Sequence, residues 1–185
     1  MTAVFRSFGQ DLLDEINRRA AKDVDDEFTL RVRAYIAAHT ANKVVAISTT
    51  TKRRIRKAID DGVVEGLGQR EVAKRIVART SGAIGRRRAN VIARTETHQA
   101  SVAGADEAMA VSGINELMVR EWIAAEDDRT RESHLEVNGE TRPMGEPFQV
   151  GGATLMYPGD PAANAPGETI NCRCVLGYLP ADEVT

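Results

Sequence analysis

The chain has 185 residues, a formal net charge of −2 and aromatic residues at only 4%. That length holds one medium domain or two small ones, the near-neutral balance gives no global positive field to announce nucleic acid, and so few aromatics suit an Ala/Val-rich helical chain better than a large β-sandwich. No apolar run approaches the roughly 20 residues of a membrane span, the N-terminus lacks the basic-then-apolar order of a signal peptide, and two cysteines at CxC spacing are too few for a disulfide framework.

Phe5, Phe8, Leu12, Leu13, Ile16 and Ala20 recur at helical spacing and predict a first helix. A second is expected from about Asp25 through Phe28, Val32, Tyr35, Ile36 and His39, with Val44–Ile47 extending it or forming a linker. Thr49-Thr50-Thr51 offers an N-cap for a third, carrying Ile55, Ile59 and Val63. After Gly62, Gly66 and Gly68, Gln69–Thr80 reads as a compact amphipathic helix with Val72, Ala73, Ile76 and Val77 on one face.

The longest helix is expected from about Ile84 to Val111, closed by Ser112-Gly113. Val91, Thr95, His98, Val102, Ala105 and Met109 share one face. A hydroxyl and an imidazole in such a stripe need partners, because an unpaired buried polar group costs roughly 1–3 kcal/mol. Those partners are expected in the C-terminal part, which makes this helix its platform. Arg86-Arg87-Arg88 at the helix start oppose the macrodipole. They read as a solvated helix end or as a DNA phosphate contact. Arg53, Arg54, Arg56 and Lys57 carry the same two readings.

Beyond Gly113 the period changes. Leu117, Val119 and Glu121 alternate with Met118, Arg120 and Trp122, as in a strand. Glu126–Arg131 holds no apolar residue and reads as a loop or helix start. Asn138-Gly139 is a type I′ turn signal, so Leu135–Val137 and Glu140–Arg142 are expected to pair. Phe148–Val150 and Ala153–Tyr157 read as strands around Gly151-Gly152. Pro158–Pro161 is a rigid turn, Ala162–Glu168 a loop, and Asn171–Leu179 the last strand. The expected class is α+β: a helical N-terminal region over 1–80, a long connecting helix over 81–113, a small mixed domain of short antiparallel strands over 114–180, and a tail over 181–185.

Arg94-Thr95-Glu96 in a long Ala-rich helix is followed by Trp122, Asp127–Arg131 with His134, Asn138-Gly139, Pro158–Pro161 and Asn171-Cys172-Arg173-Cys174. This order and spacing resemble the phage minor head protein family of the Mu F and SPP1 head-morphogenesis type, over roughly residues 60 to 180. The resemblance implies a low-copy structural component of a virion head, made in the host cytoplasm with the portal and major capsid proteins. It would act in procapsid assembly by contacting one of them, with no membrane involved. An internal head protein binding packaged DNA through Arg86, Arg87 and Arg88 is the second reading.

In a strand, Cys172 and Cys174 point to one side with Cα atoms roughly 6.5–7 Å apart, a spacing that strains a disulfide. Two thiolates on one side suit a soft metal such as zinc, with His134 as third ligand and His98 or Asp127 as fourth. The alternative is a pair of reduced cysteines with His134 hydrogen-bonded to Asp127 or Asp128. Asp127, Asp128, Arg129 and Arg131 are expected to pair with Arg94, Glu96 and Arg173, above a core filled by Trp122. Asn171 is expected to bond the Pro158–Pro161 backbone. Asp127, Asp128 and His134 near Cys172 also suggest a metal-dependent hydrolase or nuclease. The sequence holds no phosphate loop, HExxH or GxSxG, so no enzyme is expected.

Overall fold

The computed structural model describes residues 33–42 and 44–184. The helix expected from Phe5 to Ala20, and the first part of the one expected from Asp25, lie outside them. Residues 33–39 are helical (α1), and 44–48 form a linker. Helix α2 spans Thr49–Val64, and its cap is Ser48, one residue ahead of the threonine run, whose Oγ accepts the Thr51 N–H at 3.2 Å. Helix α3 spans Gln69–Arg79 and helix α4 spans Arg86–Val111. The Ser112 hydroxyl donates to the Met109 carbonyl at 2.7 Å, and Gly113, at φ +77°, turns the chain out of α4.

Ile55, Ala58 and Ile59 of α2 pack with Val72, Ala73 and Ile76 of α3, with Ile84 just ahead of α4, and with Ala89 and Ala93 in its first turns. Helices α2 and α3 meet closely at Gly62, where a Cβ would stand 2.7 Å from Val72 Cγ2. A second core gathers Val102 of α4 with Trp122, Phe148, Val150, Leu155, Cys172, Cys174 and Leu176. Helix α4 therefore serves both cores at different levels along its length.

The C-terminal module begins with β1 (Met118–Ile123), the centre of an antiparallel sheet ordered β2-β1-β5, where β2 is Thr141–Pro143 and β5 is Val175–Pro180. Strands β3 (Phe148–Val150) and β4 (Ala153–Leu155) form a separate hairpin across Gly151-Gly152. One-turn helices α5 (Glu132–Glu136) and α6 (Pro166–Thr169) lie between the strands.

Two local expectations change. Asn138-Gly139 does not close a hairpin: Leu135 and Glu136 are helical, and the turn joins α5 to β2. Gly139 has the left-handed φ of +78° that the signal demands, but the turn zips onto β1: Gly139 N donates to Trp122 O, and Asn138 Oδ1 accepts from Ala124 N. The last strand starts at Val175, so the CxC pair lies in the turn that leads into it. Among the described residues no helix is long and apolar enough to cross a membrane.

Candidate metal centre

Three elements bring His134, Cys172 and Cys174 together. Helix α5 begins at Glu132, with His134 N donating to Arg131 O, and presents the imidazole inward. The ring meets Trp122 edge-on, with centroids 5.5 Å apart at 85°. The segment before β5 is pinned at both ends. Asn171, at φ +56°, donates its N–H to Thr95 Oγ1 of α4 at 3.1 Å, and Trp122 pairs with Leu176 across β1 and β5. Between those pins the chain alternates. Cys172 and Cys174 are buried beside His134, and Arg173 points the other way into a two-pronged ion pair with Asp127.

His134 Nδ1 lies 3.2 Å from Cys174 Sγ and 3.7 Å from Cys172 Sγ, and one ligand atom from each residue falls within a sphere of mutual distances no longer than 4.8 Å. All three side chains are about 1–2% exposed. Hydrogen bonding from the Cys172 thiol holds Cys174 well below the ordinary thiol range against the cost of burial, with His134 and the Ala125 N–H helping. The same contact, with burial, pushes Cys172 far up. The two sulfurs thus share a hydrogen bond, and a metal bound between them would displace the shared proton. The arrangement can chelate a metal ion through one nitrogen and two sulfurs.

The other named residues divide. His98 lies outside this group. It stands one turn beyond Thr95, with its Nε2 buried and without a hydrogen-bond partner, and Gly159 packs close enough that a Cβ there would be 3.3 Å from its Cδ2. Asp127 accepts from Arg173, the Arg129 N–H and Thr130, and the Arg173 guanidinium holds its carboxyl far below the usual carboxylate range. It is a loop clamp, not a neighbour of the sulfurs. Asp128 is exposed and reaches Arg129 at 4.0 Å. Arg131 donates to Ile170 O. Glu96 accepts from Ala41 N, and Arg94 forms no ion pair among the described residues. The Asn171 side chain leaves Oδ1 buried and unpaired, and does not bond the Pro158–Pro161 turn. Arg86, Arg87 and Arg88 are exposed, with Arg88 bonded to Val45 O.

Two functional groups escaped the sequence reading. Glu168, in the stretch read as a loop, accepts from His134 Nε2 at 3.1 Å and from Ser133 Oγ at 2.8 Å. Arg120 is fully buried against Asp106. Its strand phase, shared with Trp122, was the available signal.

Burial pushes the His98 imidazole down from 6.5 to about 4, opposed by charge on Cys174. Between those values the unfolded chain takes a proton that the folded chain refuses, so stability falls as pH drops through this window. The loss reaches about 3 kcal/mol near pH 4. Urea midpoints at pH 7, 5.5 and 4.5 should show that slope in the wild type and a shallower one in His98→Gln; equal slopes would place the acid sensitivity elsewhere.

The sequence profile of the family described as Phage Mu protein F like protein matches residues 53–177. The chain is also similar to the Minor head protein GP7 of Bacillus phage SPP1, at 34% identity over 138 residues. That alignment takes in 70% of this chain and 41% of the relative, so the chain spans about two fifths of the relative's length. No solved structure matches the chain.

Proposed function

Because the chain belongs to the Phage Mu protein F like family, we propose that it is a structural minor head protein of a tailed phage or prophage, acting in procapsid or head assembly by contacting portal or capsid protein. The observation that carries this reading is the extent of the family match. Residues 53–177 run from within α2 into β5 and include most of the first core, the buried residues of the second and the His/Cys/Cys cluster. A helix that shares in two cores suits an adaptor that must hold one surface at a fixed offset from another. The protein would be made in the host cytoplasm and travel in the virion head. In co-expression pull-downs it should retain the portal or the major capsid protein, and purified particles should contain it at low copy number. Absence from particles together with no retention of either protein sinks the reading.

The ion proposed for the cluster is zinc, in a structural role, because two thiolates and an imidazole are its preferred ligand types. DNA contact is a second reading. It is supported by Arg86 and Arg87, exposed and without ion pairs among the described residues, and by a groove that Arg86 lines with Arg70, Lys74 and Asn90. Binding through those cations would weaken steeply between 50 and 200 mM salt, and a flat response would remove it.

A further inference from the structure

His134 uses both ring nitrogens. Nδ1 faces the two sulfurs, and Nε2 lies 3.1 Å from Glu168 Oε2. A carboxylate accepts and does not donate when ionised, so Nε2 directs its N–H at Glu168, and Nδ1 is the nitrogen that gives its lone pair to a metal bound on the sulfur side. That is the tautomer a metal-binding imidazole needs. A carboxylate behind the ligating histidine is how protein metal sites fix ring orientation and raise ligand basicity.

Glu168 is itself held from several sides. Its Oε2 accepts from the hydroxyl of Ser133, the residue next to His134. Its Oε1 packs against the bare backbone of the β3–β4 turn, where a Cβ on Gly151 would lie 2.7 Å away. Gly151 also adopts a φ of +56°, so the turn and the carboxylate call for glycine for separate reasons. Three residues separate Glu168 from Cys172, so α6 delivers the outer carboxylate just ahead of both sulfurs.

We propose that Glu168 is the positioning carboxylate of a zinc centre ligated by His134 Nδ1, Cys172 and Cys174, with Ser133 holding it in place. The inference rests on the zinc reading above. Zinc affinity is measured by competition with a chromophoric chelator on the full chain, and cobalt(II) serves as the spectroscopic probe of thiolate ligation. Wild type should bind one equivalent and give a sulfur-to-cobalt charge-transfer band. Glu168→Ala should keep that band and the buried-tryptophan emission of Trp122, yet bind zinc about 10–100-fold more weakly. Glu168→Gln, which can still accept from Nε2–H, should fall between the two, and Ser133→Ala should lose less than Glu168→Ala. Equal affinities across the four proteins, with the cobalt band present in each, would overturn the role of Glu168 while leaving the zinc reading intact. No metal bound by the wild type would overturn both.

Discussion

With the proposed zinc bound, its removal by a chelator is expected to unfold the C-terminal module while the helices stand. The module has little else to hold it. Strands β2, β3 and β4 are three residues each, and short strands in a small core give marginal stability without a staple. Its core includes the two cysteines themselves, so losing the ion leaves polarised sulfur and an imidazole facing one another among apolar side chains. A ligand at a thousandfold its dissociation constant contributes about 4 kcal/mol to the state that binds it, of the order of a small module's whole stability. The helical core of α2, α3 and the first turns of α4 contains no module residue. Trp122 reports the module cleanly, because it is the single tryptophan, is fully buried and touches His134. Its emission should shift to the red on chelation while most far-UV helical signal remains. Cys172→Ser and His134→Ala should reproduce the shift in untreated protein. Unchanged emission in metal-free protein would mean that the ion, if bound, does not hold the fold together.

Much of the helical part could be read from the chain because its signals are local. Periodic Ile55 and Ile59, or Val72 and Ile76, bury the face they mark, and Ser112-Gly113 ends α4 through one hydroxyl and one left-handed glycine. Thr95 needed a C-terminal partner and has one in Asn171, while its neighbour His98 has none. The module was harder for two physical reasons. Asn138-Gly139 specifies a left-handed residue and says nothing of what flanks it, and the neighbours of this turn are a helix and a strand. The partners of His134 are set by long-range packing. Cys172 and Cys174 were found because sulfur draws attention in any sequence. Glu168, 34 residues from His134, looked like any loop acid. The direction of Glu96 was hidden for a related reason. On a helix that is buried on several sides, adjacent residues face different cores, and Glu96 accepts from Ala41 N.

Asp106→Ala should be the most damaging single change away from the sulfur cluster, at about 3–5 kcal/mol. Arg120 has no exposed surface, and its guanidinium is shared among Asp106 at 3.2 Å, the Met156 carbonyl at 2.9 Å and the Glu146 carbonyl. It also lies 5.9 Å from the Phe148 ring centroid. One side chain therefore ties α4 to β1, to the turn before β3 and to the turn after β4. Burying the pair carries a desolvation cost. Burial pushes the Asp106 carboxyl above its ordinary range even though Arg120 and Tyr178 pull it down. What the carboxylate supplies is cancellation, and deleting it leaves a buried cation whose remaining partners are carbonyl dipoles. The physical signature is non-additivity. Asp106→Leu combined with Arg120→Met removes both charges and should cost less than Asp106→Ala alone, retaining only the roughly 1–3 kcal/mol penalty of the freed carbonyls. Denaturant midpoints of the two single variants and the double variant decide it. A double variant as unstable as the sum of the singles would show that Arg120 acts through packing on Phe148, and that the link between helix and module does not depend on its charge.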